Sequence, residues 1–104
     1  MSKRMKKHAA DLHLLGSCTP NTRKAILRNA DNQLVQAIAE AVWTILEGRV
    51  PLTTSQKTRL RKDETILRQI ATKQRTPAQK RKVLGSQRGG AVLGFLFNLL
   101  KNLF

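Results

Sequence analysis

The sequence predicts an all-α fold: a small bundle of short helices with a basic helical C-terminal half and a separate apolar C-terminal helix. Three observations lead there. Apolar residues recur at i, i+3/4 and i+7 between residues 32 and 47. Thr19-Pro20 and Thr76-Pro77 each pair an N-capping side chain with a proline suited to the first helical position. Val, Ile and Thr nowhere alternate with polar residues over a strand-length window, and no fixed-period repeat occurs.

Taken in order, residues 3–15 mix cations with Ala9, Ala10, Leu12, Leu14 and Leu15, a short helix that Gly16 should stop. Its cations crowd the first turn, the wrong end for the helix dipole, so fraying is expected. Thr19-Pro20 opens a helix running to about residue 29 on Ala25, Ile26 and Leu27. Asp31 then caps the strongest pattern in the chain, a helix over 32–47 with Leu34, Val35, Ile38, Ala41, Val42, Ile45 and Leu46 on one wide stripe, ended by Gly48. That helix is the expected core. Val50-Pro51-Leu52 reads as an extended connector, and Thr53 or Thr54 caps a polar helix that continues to about Thr72 with a break near Asp63. Thr76-Pro77 opens a basic helix over 78–84, and residues 85–90 read as a flexible glycine linker. The chain thus divides into a basic N-terminal helix (1–18), a helical core module (19–73), a basic helix with linker (74–90) and a hydrophobic tail helix (91–104).

Composition narrows the function. A chain of 104 residues is one small domain, with little left over for an active-site cleft. Twenty Lys and Arg against six Asp and Glu give +14, far beyond what solubility needs. Nucleic acid is the first partner such a charge suggests, and an anionic membrane the second. All six acids precede residue 65, leaving eight cations and no anion in the last forty residues. The single Cys18 excludes an internal disulfide and fits a reducing compartment. The basic N-terminus is followed by no apolar run with a small-residue cleavage site, so no secretory signal is expected.

Between residues 54 and 88, eleven cations face two anions: Lys57, Arg59, Arg61, Lys62, Arg68, Lys73, Arg75, Lys80, Arg81, Lys82 and Arg88. A solvated face ordinarily mixes both signs, so these are the expected nucleic-acid-binding residues. With no tyrosine, and Trp43 on the core helix, stacking platforms for single strands are lacking, which favours duplex phosphate contact without base reading. A helix-turn-helix reader, using Gln56, Lys57, Arg59, Arg61 and Arg68, is the competing arrangement. Lys80-Arg81-Lys82 serves equally as phosphate ligands or as a nuclear address.

The tail from Ala91 holds ten apolar residues in fourteen. As a helix it would reach about 21 Å, short of the roughly 30 Å of a bilayer's hydrocarbon core. Gly94, Asn98, Lys101 and Asn102 form a narrow polar stripe beside a broad apolar face of Leu93, Phe95, Leu96, Phe97, Leu99, Leu100, Leu103 and Phe104. Capsid or partner contact is the leading expectation for that face, then membrane insertion, then packing on the chain's own core. His8, Asp11, His13 and Cys18 lack metal-ligand spacing, and no catalytic arrangement can be named, so no metal, cofactor or catalytic residue is expected.

The block Gln87-Arg88-Gly89-Gly90-Ala91, basic before and apolar after, resembles the precursor of adenovirus core protein X, the mu peptide, over about residues 76–104. That resemblance implies a DNA-condensing basic part and cutting by a viral maturation protease between Gly90 and Ala91, with Gln87, Gly89 and Gly90 matching the cleavage pattern. The mu peptide is arginine-dense and has no helical module like 32–47. Over nearly its whole length the chain also resembles small proteins of adintovirus and Polinton-type DNA elements, through residues 23–31, 47–53, 56–62 and 80–84. Together these resemblances imply a non-enzymatic virion-core protein that binds double-stranded DNA independently of sequence, in the virion core and in the host nucleus or cytoplasm during assembly. The alternatives are a membrane-active protein of host penetration or lysis, and a capsid-docking protein, both using the tail.

Overall fold

In the computed structural model of the chain, residues 3–48 and 50–100 are described, the side chains of 87–90 and 100 excepted. Eight helices and no strand are found among them: α1 (Lys3–Lys7), α2 (Ala9–Ser17), α3 (Pro20–Arg28), α4 (Asn32–Leu46), α5 (Thr54–Lys62), α6 (Glu64–Ala71), α7 (Pro77–Leu84) and α8 (Gln87–Leu100). The all-α expectation holds.

The capping signals act as read. Thr19 accepts from the Thr22 N–H, and Asp31 Oδ1 accepts from the Leu34 N–H at 2.8 Å. Thr53 and Thr76 each form a reciprocal capping box, with Gln56 and Gln79 respectively. Gly48 has φ +76°, the left-handed conformation that lets the chain leave α4. The break near Asp63 is a single turn residue between α5 and α6.

The N-terminal segment departs from expectation. It forms two helices meeting at His8, and α2 runs through Gly16 to Ser17. The bend lets α1 and α2 serve different partners: α1 packs on α4, burying Met5 and pairing Arg4 with Glu40 at 2.8 Å, while α2 packs on α8. Gly16 stays helical because a side chain there would collide with α8. A Cβ would lie 2.8 Å from the Phe97 carbonyl oxygen.

The larger correction concerns the tail. It is no separate apolar helix: α8 packs most extensively on α2 and also on α3 and α7, and Val92, Leu93, Leu96 and Phe97 are buried in the common core. The physical reason is that Leu12 and Leu15 of α2, Leu27 of α3 and Leu84 of α7 need apolar cover, and α8, which packs on all three helices, supplies it. The expected linker over 85–90 shrinks to Gly85-Ser86, and Gln87, Gly89, Gly90 and Ala91 have helical backbone. Leu103 and Phe104, like Lys101 and Asn102 of the polar stripe, lie outside the described residues.

Candidate nucleic-acid interface

The expected cations fall into three groups. Lys80 is buried at 2% exposure on α7, and burial pushes its amine below the ordinary lysine value. Arg81 is tied into the fold, donating from Nε to the Ala30 carbonyl at 2.7 Å and from Nη2 to Asn32 Oδ1 at 2.7 Å. Arg68 pairs with Glu64 one turn before it, at 2.7 Å. Lys80 and Arg81 thus serve packing, whereas Arg68 remains exposed beside its partner. Lys73 and Lys82 are exposed, and Arg75 is half-buried. The Arg88 side chain lies outside the described residues.

Lys57, Arg59, Arg61 and Lys62 form the third group, all on α5 and all exposed. This helix buries none of its residues, has no acid among its nine, and holds only a light contact with α6. Unlike α1, which carries as many cations but buries Met5 against α4, it presents its charge from a helix with no buried residue. Successive residues turn by about 100° on a helix, so Lys57 and Arg61 share one flank while Arg59 lies nearly opposite. Surface shape follows that division. On one flank, Lys57, Arg61, Arg68 and its partner Glu64 line a depression of about 220 Å³ together with Leu46, Leu52 and Leu60. On the other, Arg59 reaches towards α8, its guanidinium carbon 4.2 Å from the Phe95 ring centroid.

Arg59 there overlooks an open groove of about 780 Å³ between α3 and α8. Its α3 wall carries Asn21 and Lys24, its α8 wall Gly94 and Asn98, and no acidic side chain lines it. Arg23 forms part of the floor. It is 9% exposed and donates from Nε to the Leu15 carbonyl at 2.8 Å and from Nη2 to the Cys18 carbonyl at 3.1 Å, closing the C-terminal end of α2. Gly94 makes room for this guanidinium, since a Cβ at that position would stand 2.5 Å from Arg23 Nη1.

Sequence reasoning placed Arg59 among the nucleic-acid-binding cations and Phe95 in a partner- or membrane-contact face, and did not single out Arg23 or Lys24; Phe95 lies instead under the Arg59 guanidinium. Arg23 and Lys24 sit in a helix whose local signal was its cap, and nothing in their spacing tells that α8 will fold back beside them. Trp43, expected with the core helix, is 49% exposed on α4. His8 Nδ1 lies 3.4 Å from Asp11 Oδ2, and among the described residues no three His, Cys, Asp or Glu side chains gather as a metal-binding group. No described helix is long and apolar enough to cross a membrane. Compared with family models, curated proteins and solved structures, the chain matches none of them.

Proposed function

We propose that this protein is a non-enzymatic binder of duplex DNA that works by neutralising phosphates, with α5 as the element presented to the double helix. The observation that carries the reading is that α5 holds four exposed cations, no anion and no buried residue. A helix with cations on both flanks suits the major groove, about 12 Å wide, where the two flanks face opposite backbones. Phosphate contacts of this kind fix position without reading bases. Lys73 and Lys82 are exposed as well and are available for further phosphate contacts. The virion-core role implied by the resemblance to adenoviral and adintoviral basic proteins accords with such binding.

Readings in which the tail docks on capsid or lipid, or is released at Gly90, depend on side chains and backbone that the fold already uses. Leu93, Leu96 and Phe97 are interior, Phe95 and Leu99 half-buried. The DNA reading asks for no such unfolding and is preferred for that reason.

Fluorescence anisotropy of the full chain against random-sequence duplex DNA tests it. Affinity is expected to fall on the order of a thousandfold between 50 and 200 mM salt if about six phosphates are engaged, and to be alike for unrelated sequences. Strong preference for one sequence would favour the helix-turn-helix arrangement, and weak binding at low salt would refute the proposal.

A further inference from the structure

From the groove between α3 and α8 we infer a second site, one that seats an unpaired nucleotide with its phosphate on Arg23 and Lys24 and its base against the guanidinium of Arg59. The inference goes beyond duplex binding and does not rest on it. Its first ground is an excess of buried charge. Arg23 is 9% exposed, and its hydrogen bonds go to two backbone carbonyls, so a full positive charge is offset there only by partial ones. Its Nη1 lies beside Gly94 on the groove wall, where a larger residue would bar access. Lys24 adds a second cation to the same groove, and no carboxylate among its described lining residues compensates the pair. A phosphate supplies the missing negative charge and accepts hydrogen bonds from a guanidinium and an ammonium together.

The second ground is shape. About 780 Å³ lies within the range of sites for small organic ligands and far exceeds what a bare phosphate requires. Arg59, held over Phe95 at 4.2 Å, is fixed on one side by the ring and offers its other side to a base. Asn21 and Asn98, on opposite walls, carry amides that both donate and accept, as base edges demand. A duplex keeps its bases stacked and paired, so only an unpaired nucleotide can use this combination.

Nuclear magnetic resonance of the full ¹⁵N-labelled chain, titrated separately with the trinucleotide d(TpTpT) and with inorganic phosphate, tests the site. The Gly94 amide and the Asn21 and Asn98 side-chain amides should shift saturably with the trinucleotide, at a Kd at least about tenfold below that for phosphate. Lys24→Gln should weaken both ligands about fivefold. Arg59→Gln should weaken the trinucleotide about tenfold and leave phosphate almost unchanged. Both side chains are exposed, so neither change should unfold the protein. Equal affinity for trinucleotide and phosphate, shifts confined to α5, or an unchanged Kd in Lys24→Gln would overturn the inference. A blunt duplex in a parallel titration should shift the Lys57, Arg61 and Lys62 amides, so loss of duplex binding is read separately from loss of the groove site.

Discussion

Two glycines set the terms on which α8 joins the fold, and one buried lysine on α7 sets how its stability answers to pH. Gly16 faces backbone: a methyl group there meets the Phe97 carbonyl at 2.8 Å, and only a shift of one helix relieves it. Gly94 faces the Arg23 guanidinium, the far end of a flexible side chain, although a buried one. Both alanine variants should therefore unfold at lower urea concentration than the parent, Gly16→Ala by about 2 kcal/mol and Gly94→Ala by less. Lys80 is a different case, because desolvation disfavours its charged form in the folded state. Its folded pKa lies below its unfolded one, so between the two the unfolded chain binds more protons and stability rises with pH. Lys80→Met should be more stable than the parent at neutral pH. That advantage should shrink as pH climbs through the folded pKa towards the ordinary lysine value, as thermal unfolding of both proteins across the alkaline range would show.

At the scale of elements, the helices divide into those that make the core and one that does not. α4 buries eight residues and α8 at least four, whereas α5 buries none. Function and stability should separate along that line. Replacing Lys57, Arg61 and Lys62 together by Gln should leave the unfolding midpoint within about 0.5 kcal/mol of the parent, since none of them is buried. The same variant should lower the slope of log K against log salt by about 2.7 if each residue engages one phosphate. A loss of binding without a change of slope would show that these residues act through the fold and not on phosphate.

The whole molecule has a radius of gyration of 12.2 Å, against about 13 Å for a compact chain of this length. Such compactness at +14 uses the few acids carefully: Glu40 and Glu64 are paired with arginines and Asp31 caps α4. It also depends on the last segment. A chain ending at Gly90 loses Val92, Leu93, Leu96 and Phe97 from the core, leaving Leu12, Leu15 and Gly16 of α2 without their cover. Circular dichroism of that truncation should show no cooperative thermal transition. A cooperative transition like the parent's would instead show that residues 1–90 fold alone and that α8 is an accessory.

Local chemistry accounts for what the sequence by itself determined. The caps at Thr19, Asp31, Thr53 and Thr76, the stripe of α4, the positive-φ turn at Gly48 and the break at Asp63 each depend on residues within a few positions of one another, and each is legible from spacing. So is the cationic surface of α5, because charge without apolar residues keeps a helix face in water. Only the tertiary structure decided where α8 goes. An apolar helix has the same pattern whether it meets lipid, a partner or its own chain, and the choice turned on the fit of Gly16 to Phe97 and of Gly94 to Arg23, contacts between residues some eighty and seventy positions apart. That fit also withdrew Leu93, Leu96 and Phe97 from the surface and created the groove beside Arg59, which no spacing within α3, α5 or α8 alone could have shown.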